Sequence, residues 1–145
     1  MGYASTCNGT GTPPNDKCTS PVQGICPPGW HIPSHYELTT LERAVCDSST
    51  CTTDFPYDTT TTGWRGTNEG TKLKVGGGSG FEGLLGGYRN TDSSFNNLSS
   101  NGYFWSSSQS SSTNAWERVL NSGITTVNRN DRSKAYGFSV RCLKD

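Results

Sequence analysis

This chain of 145 residues has little of what marks a catalyst, a nucleic-acid binder or a membrane protein. Lys and Arg number 12 and Asp and Glu number 12, so the net charge is zero and no basic stripe is available to displace phosphate counterions. No nucleic-acid partner is therefore expected. No apolar run approaches the roughly 18 residues of a membrane-spanning helix, and the first residues lack a charged-then-apolar leader, so no membrane insertion is expected. Leu, Ile, Val and Phe together number only 22, a scarcity that would suggest disorder if net charge were high. With zero net charge, four Trp, six Tyr and six Cys, the composition points instead to an ordered, loop-rich domain.

Histidine is nearly absent: His31 and His35 are the two in the chain. There is no G-x-S-x-G elbow and no H-E-x-x-H helix, and Glu37, Glu42, Glu69, Glu82 and Glu117 are scattered without an acid/base spacing. The chain reads as a non-enzyme. His31, between Trp30 and Ile32, reads as a packed, hydrogen-bonded residue, and His35 as solvent-facing in a first helical turn. No C-x-x-C occurs, which argues against zinc, so no metal or other cofactor is expected, with calcium left open through loop carbonyls and Asp side chains.

Six cysteines in so short a chain point to an oxidising setting: extracellular, cell surface or virion surface. Six thiols admit about 15 pairings. The expected set is Cys7 with Cys18, Cys46 with Cys51, and Cys26 with Cys142, the last tying an early strand to the final one.

In chain order, residues 1–23 form an irregular Gly, Thr and Pro-rich arm, and residues 24–145 the folded domain. Pro27 and Pro28 restrict the segment around Ile25, Trp30 and Ile32 to an edge or terminal strand. Ser34 followed by Glu37 is a capping box, and Leu38, Leu41 and Val45 fall on one face of a helix of about three turns over residues 34–46. Residues 51–63 read as a Thr-rich loop, and a short second helix is expected around Lys72, Leu73 and Lys74 despite Gly66 and Gly70. Gly78, Gly80 and Gly83 spell G-x-G-x-x-G. No helix follows them, so a loop and bulged strand, not a dinucleotide site, is expected.

The tail from residue 101 to 145 reads as strand at both ends, with polar surface residues between. Along Trp116, Glu117, Arg118, Val119 and Leu120, strand alternation puts Trp116, Arg118 and Leu120 on one face and Glu117 and Val119 on the other. Exposed Val119 and Ile124 among polar neighbours would suit a contact patch. The Ser run over 106–112 is either a solvated loop or a ligand-contacting one, and Arg141 reads as a structural hydrogen-bond donor. Trp30, Trp64, Trp105 and Trp116 read as core, and an exposed pair among them would favour sugar stacking.

Cys26-Pro27-Pro28-Gly29-Trp30-His31-Ile32-Pro33, the helix from Ser34, Gly80-Phe81, Gly86-Gly87-Tyr88-Arg89, Tyr103-Phe104-Trp105-Ser106-Ser107 and Gly137-Phe138-Ser139-Val140-Arg141-Cys142 together resemble the Fibrobacter succinogenes major paralogous domain family. That resemblance implies an α+β, C-type-lectin-like fold of the formylglycine-generating-enzyme branch, with one or two helices against short antiparallel sheets, loop-rich and disulfide-stapled. The run from Asn114 to Cys142 further resembles the variable protein of a diversity-generating retroelement, whose template adenines are randomised. It implies a variable region over about 103–142 in which Trp105, Trp116, Leu120, Phe138 and Val140 are buried scaffold. Glu117, Val119, Ser122, Ile124, Asn128, Asp131, Arg132, Ser133 and Tyr136 would form the ligand-binding face. Glu117 departs from the rule, because changing adenines in an Asn codon cannot yield Glu.

The expected function is binding of a protein or glycan ligand on another cell or particle through that face. Two alternatives are a non-diversified adhesion module for glycans and an enzyme of the formylglycine-generating type, the latter needing a free, accessible thiol.

Overall fold

Ser34 starts the first helix as its sequence requires. In the computed structural model, which describes Cys7 and residues 9–145, the Ser34 hydroxyl accepts from the Glu37 amide at 2.9 Å and the Glu37 carboxylate accepts from the Ser34 amide at 2.8 Å. Helix α1 spans His35–Val45. Its apolar stripe of Leu38, Leu41 and Val45 meets a small core of Leu73, Phe104, Leu120 and Val127. A second stripe, His35, Thr39 and Glu42, is also fully buried, so the helix is covered on two sides. His35 is therefore not solvent-facing: its ring packs on Trp116 at a centroid distance of 4.2 Å.

The remaining elements are β1 (Trp30–His31), α2 (Cys51–Asp54), β2 (Gly63–Arg65), α3 (Glu69–Leu73), β3 (Gly86–Arg89), β4 (Phe95–Leu98), β5 (Asn101–Gln109), β6 (Asn114–Asn121), β7 (Val127–Ser133) and β8 (Leu143–Lys144). Helix α2 is a single turn inside the segment expected as loop. Helix α3 is the short second helix, and Gly70 is required there, because a Cβ would lie 2.1 Å from the Thr126 carbonyl oxygen. The close approach of the chain to residue 126 outweighs the roughly 1 kcal/mol that Gly costs in a helix.

Six strands form the main sheet in the order β2-β7-β6-β5-β3-β4, antiparallel except for the β3–β5 contact at Gly87 and Gly102. The two-stranded β1–β8 pair stands apart and joins the early apolar segment to the C-terminus. Instead of a continuous final strand, residues 137 and 139 make isolated bridges to Arg89 and Phe104 before β8 begins. The cysteines pair as Cys7–Cys18, Cys26–Cys142 and Cys46–Cys51, which coincides with the expected set. Cys26 lies just before β1, and its bridge fastens the C-terminal segment to the start of the domain.

Residues 1–6 and 8 of the N-terminal arm lie outside the described residues. The rest of the arm is fastened to α1: Asp16 is buried, its carbonyl accepts from the Ser34 hydroxyl at 2.6 Å and its carboxylate from the Thr40 hydroxyl at 2.6 Å. The Ser run splits. Ser106, Ser107 and Ser108 are fully buried on β5, and only Ser110, Ser111 and Ser112 form the exposed loop.

Candidate ligand-binding face

Register fixes which side chains share a face, since residues directly opposite each other in neighbouring strands point the same way. One row across the sheet is Trp64, Asn128, Val119 and Tyr103, and the next is Asn130, Glu117 and Trp105. Arg132, paired with Ala115, extends the same face along β7. We call this the outer face. The inner face carries Val127 and Arg129 on β7, Trp116, Arg118 and Leu120 on β6, and Phe104 on β5, all buried against α1 or the core.

The inner face is locked by charge as well as by packing. The Arg118 guanidinium donates to Glu42 through Nε and, at 3.3 Å, through Nη2. It also reaches Nδ1 of His35 at 3.2 Å and the Thr39 hydroxyl at 3.3 Å. Arg129 donates to the Pro56 carbonyl at 2.7 Å and to the Asp58 carbonyl and carboxylate. The His35 ring lies between the two guanidiniums, its Nδ1 3.2 Å from Arg118 and its Nε2 2.7 Å from Nη2 of Arg129 and 2.9 Å from the Asp58 carbonyl. Burial, then the charges of Arg118 and Arg129, hold the His35 pKa well below the usual histidine value, which keeps the ring neutral. Burial likewise lowers Arg129 to about 10. The void beside Glu42 and Arg118 is only about 10 Å³, too small for a substrate, so this network is structural. His31 is held the same way, between Asp145 at 2.6 Å and Glu37 at 3.1 Å.

On the outer face, aromatic rings cover β5. Phe138 stacks on Trp105 at 4.3 Å and on Tyr103 at 5.0 Å, Tyr136 stacks on Phe138 at 5.7 Å, and Tyr88 meets Tyr103 edge-on at 5.0 Å. This cover explains two corrections. Glu117 and Val119, expected at an exposed surface, are 0% and 6% exposed. Parity put them on the outer face correctly, but that face is itself covered there. Neither carboxylate oxygen of Glu117 has a hydrogen-bond partner, and Arg132 approaches Oε1 through Nε at 3.3 Å without hydrogen-bond alignment. Burial outweighs that ion pair and raises the Glu117 pKa to about 7.

The other expected face residues divide into groups. Asn128, Arg132 and Tyr136 reach the outer face, and Arg132 is exposed. Ser122 and Ile124 lie in the β6–β7 turn, near Lys74, whose ammonium donates to the Ile124 carbonyl at 3.0 Å. Asp131 has inner parity and accepts from the Ser110 hydroxyl at 2.7 Å and the Asn114 amide at 3.0 Å, and Ser133 ends β7 opposite Asn114. The nine residues therefore do not form one patch. Sequence reasoning missed Trp64 and Asn130 on the outer face and the whole inner network. Trp64 comes from β2, whose three residues carry no readable alternation. Trp105 and Trp116 are core as expected, whereas Trp30 and Trp64 are 38% and 42% exposed. Arg141, expected to donate structurally, is exposed and makes no hydrogen bond among the described residues. No cluster of metal-ligating side chains occurs among the described residues, nor any helix long and apolar enough to cross a membrane.

The sequence model of the Fibrobacter succinogenes major domain matches residues 12–144, beginning inside the segment read as an arm. No curated protein and no solved structure matches the chain. Nearly the whole domain is thus matched, from the arm fastened to Ser34 through the β1–β8 pair, and the chain belongs to the Fibrobacter succinogenes major domain family.

Proposed function

We propose that this is a ligand-binding domain of C-type-lectin-like fold, recognising a protein or glycan on another cell or particle outside the producing cell. Its C-terminal strands would be diversified by a retroelement. The observation that carries the reading is the separation on β7. Val127 and Arg129 point inward and are fully buried, while Asn128, Asn130 and Arg132 alternate outward from a backbone those two residues fix. Outward positions on such a strand can change without disturbing the lock beneath, and a rigid backbone lowers the ordering cost of binding. Three disulfides suit the oxidising surroundings of an extracellular protein.

A glycan-adhesion reading has one observation in its favour, the exposure of Trp30 and Trp64. These rings stand on different sheets, β1 and β2, so they do not make one stacking platform. The deciding experiment sequences the source locus and near-identical copies over codons 103–142. Differences concentrated at template adenines, at codons 128, 130 and 132 among others, with a reverse-transcriptase gene nearby, are expected. Differences spread evenly over all bases would sink the diversification reading and leave adhesion as the better one.

A further inference from the structure

Beside the core, where the Leu38 and Leu41 stripe of α1 runs out toward solvent, lies a cleft of about 410 Å³ between the helix, the glycine-rich loop and the C-terminal strand. Its apolar walls are Trp30, Leu38, Leu41, Phe81 and Leu143, and Arg141 stands at its rim. The volume falls within the roughly 300–1,000 Å³ of small-molecule sites. Two aromatic rings and three Leu side chains make the walls, so the body of an occupant must be apolar.

The polar groups decide the rest. Glu37 lines the cleft, but its carboxylate is already engaged by His31 at 3.1 Å and by the Ser34 amide at 2.8 Å. Arg141 is different. Its guanidinium lies 5.9 Å from the Phe81 ring and has no hydrogen bond or ion pair among the described residues. The same Trp30 and Arg141 also line an adjoining, more open recess with Pro27 and Val140, so the guanidinium is reachable from both sides. A planar fork of donors beside an apolar cavity matches one chemistry well: a carboxylate on an aliphatic or aromatic body.

We propose that this cleft is a binding site for a small organic acid, with its apolar body against Trp30, Leu41 and Phe81 and its carboxylate on Arg141. The site is independent of the sheet face, since none of the outer-face residues lines it.

The test is an amide-resolved NMR titration of the oxidised protein with 3-phenylpropanoate, alongside its neutral twin 3-phenylpropanamide. Saturable shifts at Trp30, Leu41 and Phe81 are expected with the acid at about 1 mM or below, a reasonable affinity for a ligand of that size. The amide should bind about tenfold to a hundredfold more weakly, and Arg141→Gln should weaken the acid by the same factor, since a hydrogen bond to a charged group is lost in each case. Because the amide comparison uses the unaltered chain, the charge claim does not depend on the variant folding. Equal binding of acid and amide, or no effect of Arg141→Gln, would overturn the role of Arg141. Absence of shifts at these residues up to about 10 mM would overturn the site. Much tighter binding of a peptide ending in Phe with a free carboxylate, lost on its amidation, would overturn the small-molecule assignment in favour of a peptide C-terminus.

Discussion

Replacing Glu117 by Gln tests which force governs the outer face. The carboxyl loses its proton near 4.5 in an unconstrained chain, but burial on β6 holds it to about 7 in the folded protein. Between those values the folded state keeps a proton that the unfolded state has released. A raised carboxyl pKa therefore makes stability greatest below about 4.5, and stability then falls as pH rises to about 7. The gap corresponds to about 3 kcal/mol lost by pH 8. Gln keeps the shape and an oxygen facing Arg132 but cannot ionise. Glu117→Gln should match the wild type at about pH 4.5 and exceed it by about 3 kcal/mol at about pH 8.5, a rise of roughly 6–12 °C in Tm for a domain of this size. Paired thermal scans across that range, with disulfides intact, read the difference directly. If the variant were instead the less stable at high pH, with a gap that widened as pH rose, the ion pair with Arg132 would dominate over burial and the reasoning would fail.

Two further outcomes follow from the lock beneath the sheet. Glu42→Gln leaves the buried Arg118 guanidinium without its counter-charge and should cost about 3–5 kcal/mol in urea unfolding, whereas a cost near zero would mean that water reaches the pair. Removing Cys26–Cys142, which spans a separation of 116 residues, should cost about 5 kcal/mol, against about 2 kcal/mol for Cys46–Cys51 with its separation of 5, in matched double Cys→Ser variants. Equal costs would show that native contacts, not chain closure, set the difference.

Local rules were legible where one residue type has one physical use. Ser34 and Glu37 announced α1 because the capping box satisfies amides that nothing else at a helix start reaches. Strand alternation assigned the faces of β6 correctly, and it also carried an unread signal: Arg118 shares parity with Trp116 and Leu120, so an inward arginine needed a buried acid. The spacing of His35, Thr39 and Glu42 along one side of α1 supplied that acid, and the stripe was overlooked because its residues are polar. The exposure of Glu117 and Val119 could not be read at all. It depends on Phe138 and Tyr136 folding back over β5, a contact between residues far apart in sequence that no local pattern encodes.

That cover limits how a binding face on this sheet can vary. On β6 every residue from Ala115 to Leu120 is buried, so neither parity is free: even-numbered positions meet α1 or the core, and Glu117 and Val119 lie opposite Trp105 and Tyr103 of the aromatic-covered strand β5. A charged residue at 119 would be set between Tyr103 and Asn128 with little water access, at the cost that attends any unpaired buried charge. On β7 the alternation leaves the outer parity partly open: Asn128 and Asn130 are half-buried and Arg132 is exposed, while Val127 and Arg129 on the other parity are fully buried. Tolerance to substitution should therefore rise from β6 to β7, and along β7 toward its C-terminal half. A ligand contacting Asn128, Asn130 and Arg132 would approach beside Trp64, the exposed ring in that neighbourhood, and its affinity could be retuned at those three positions while Glu117 and Val119 stayed fixed in size.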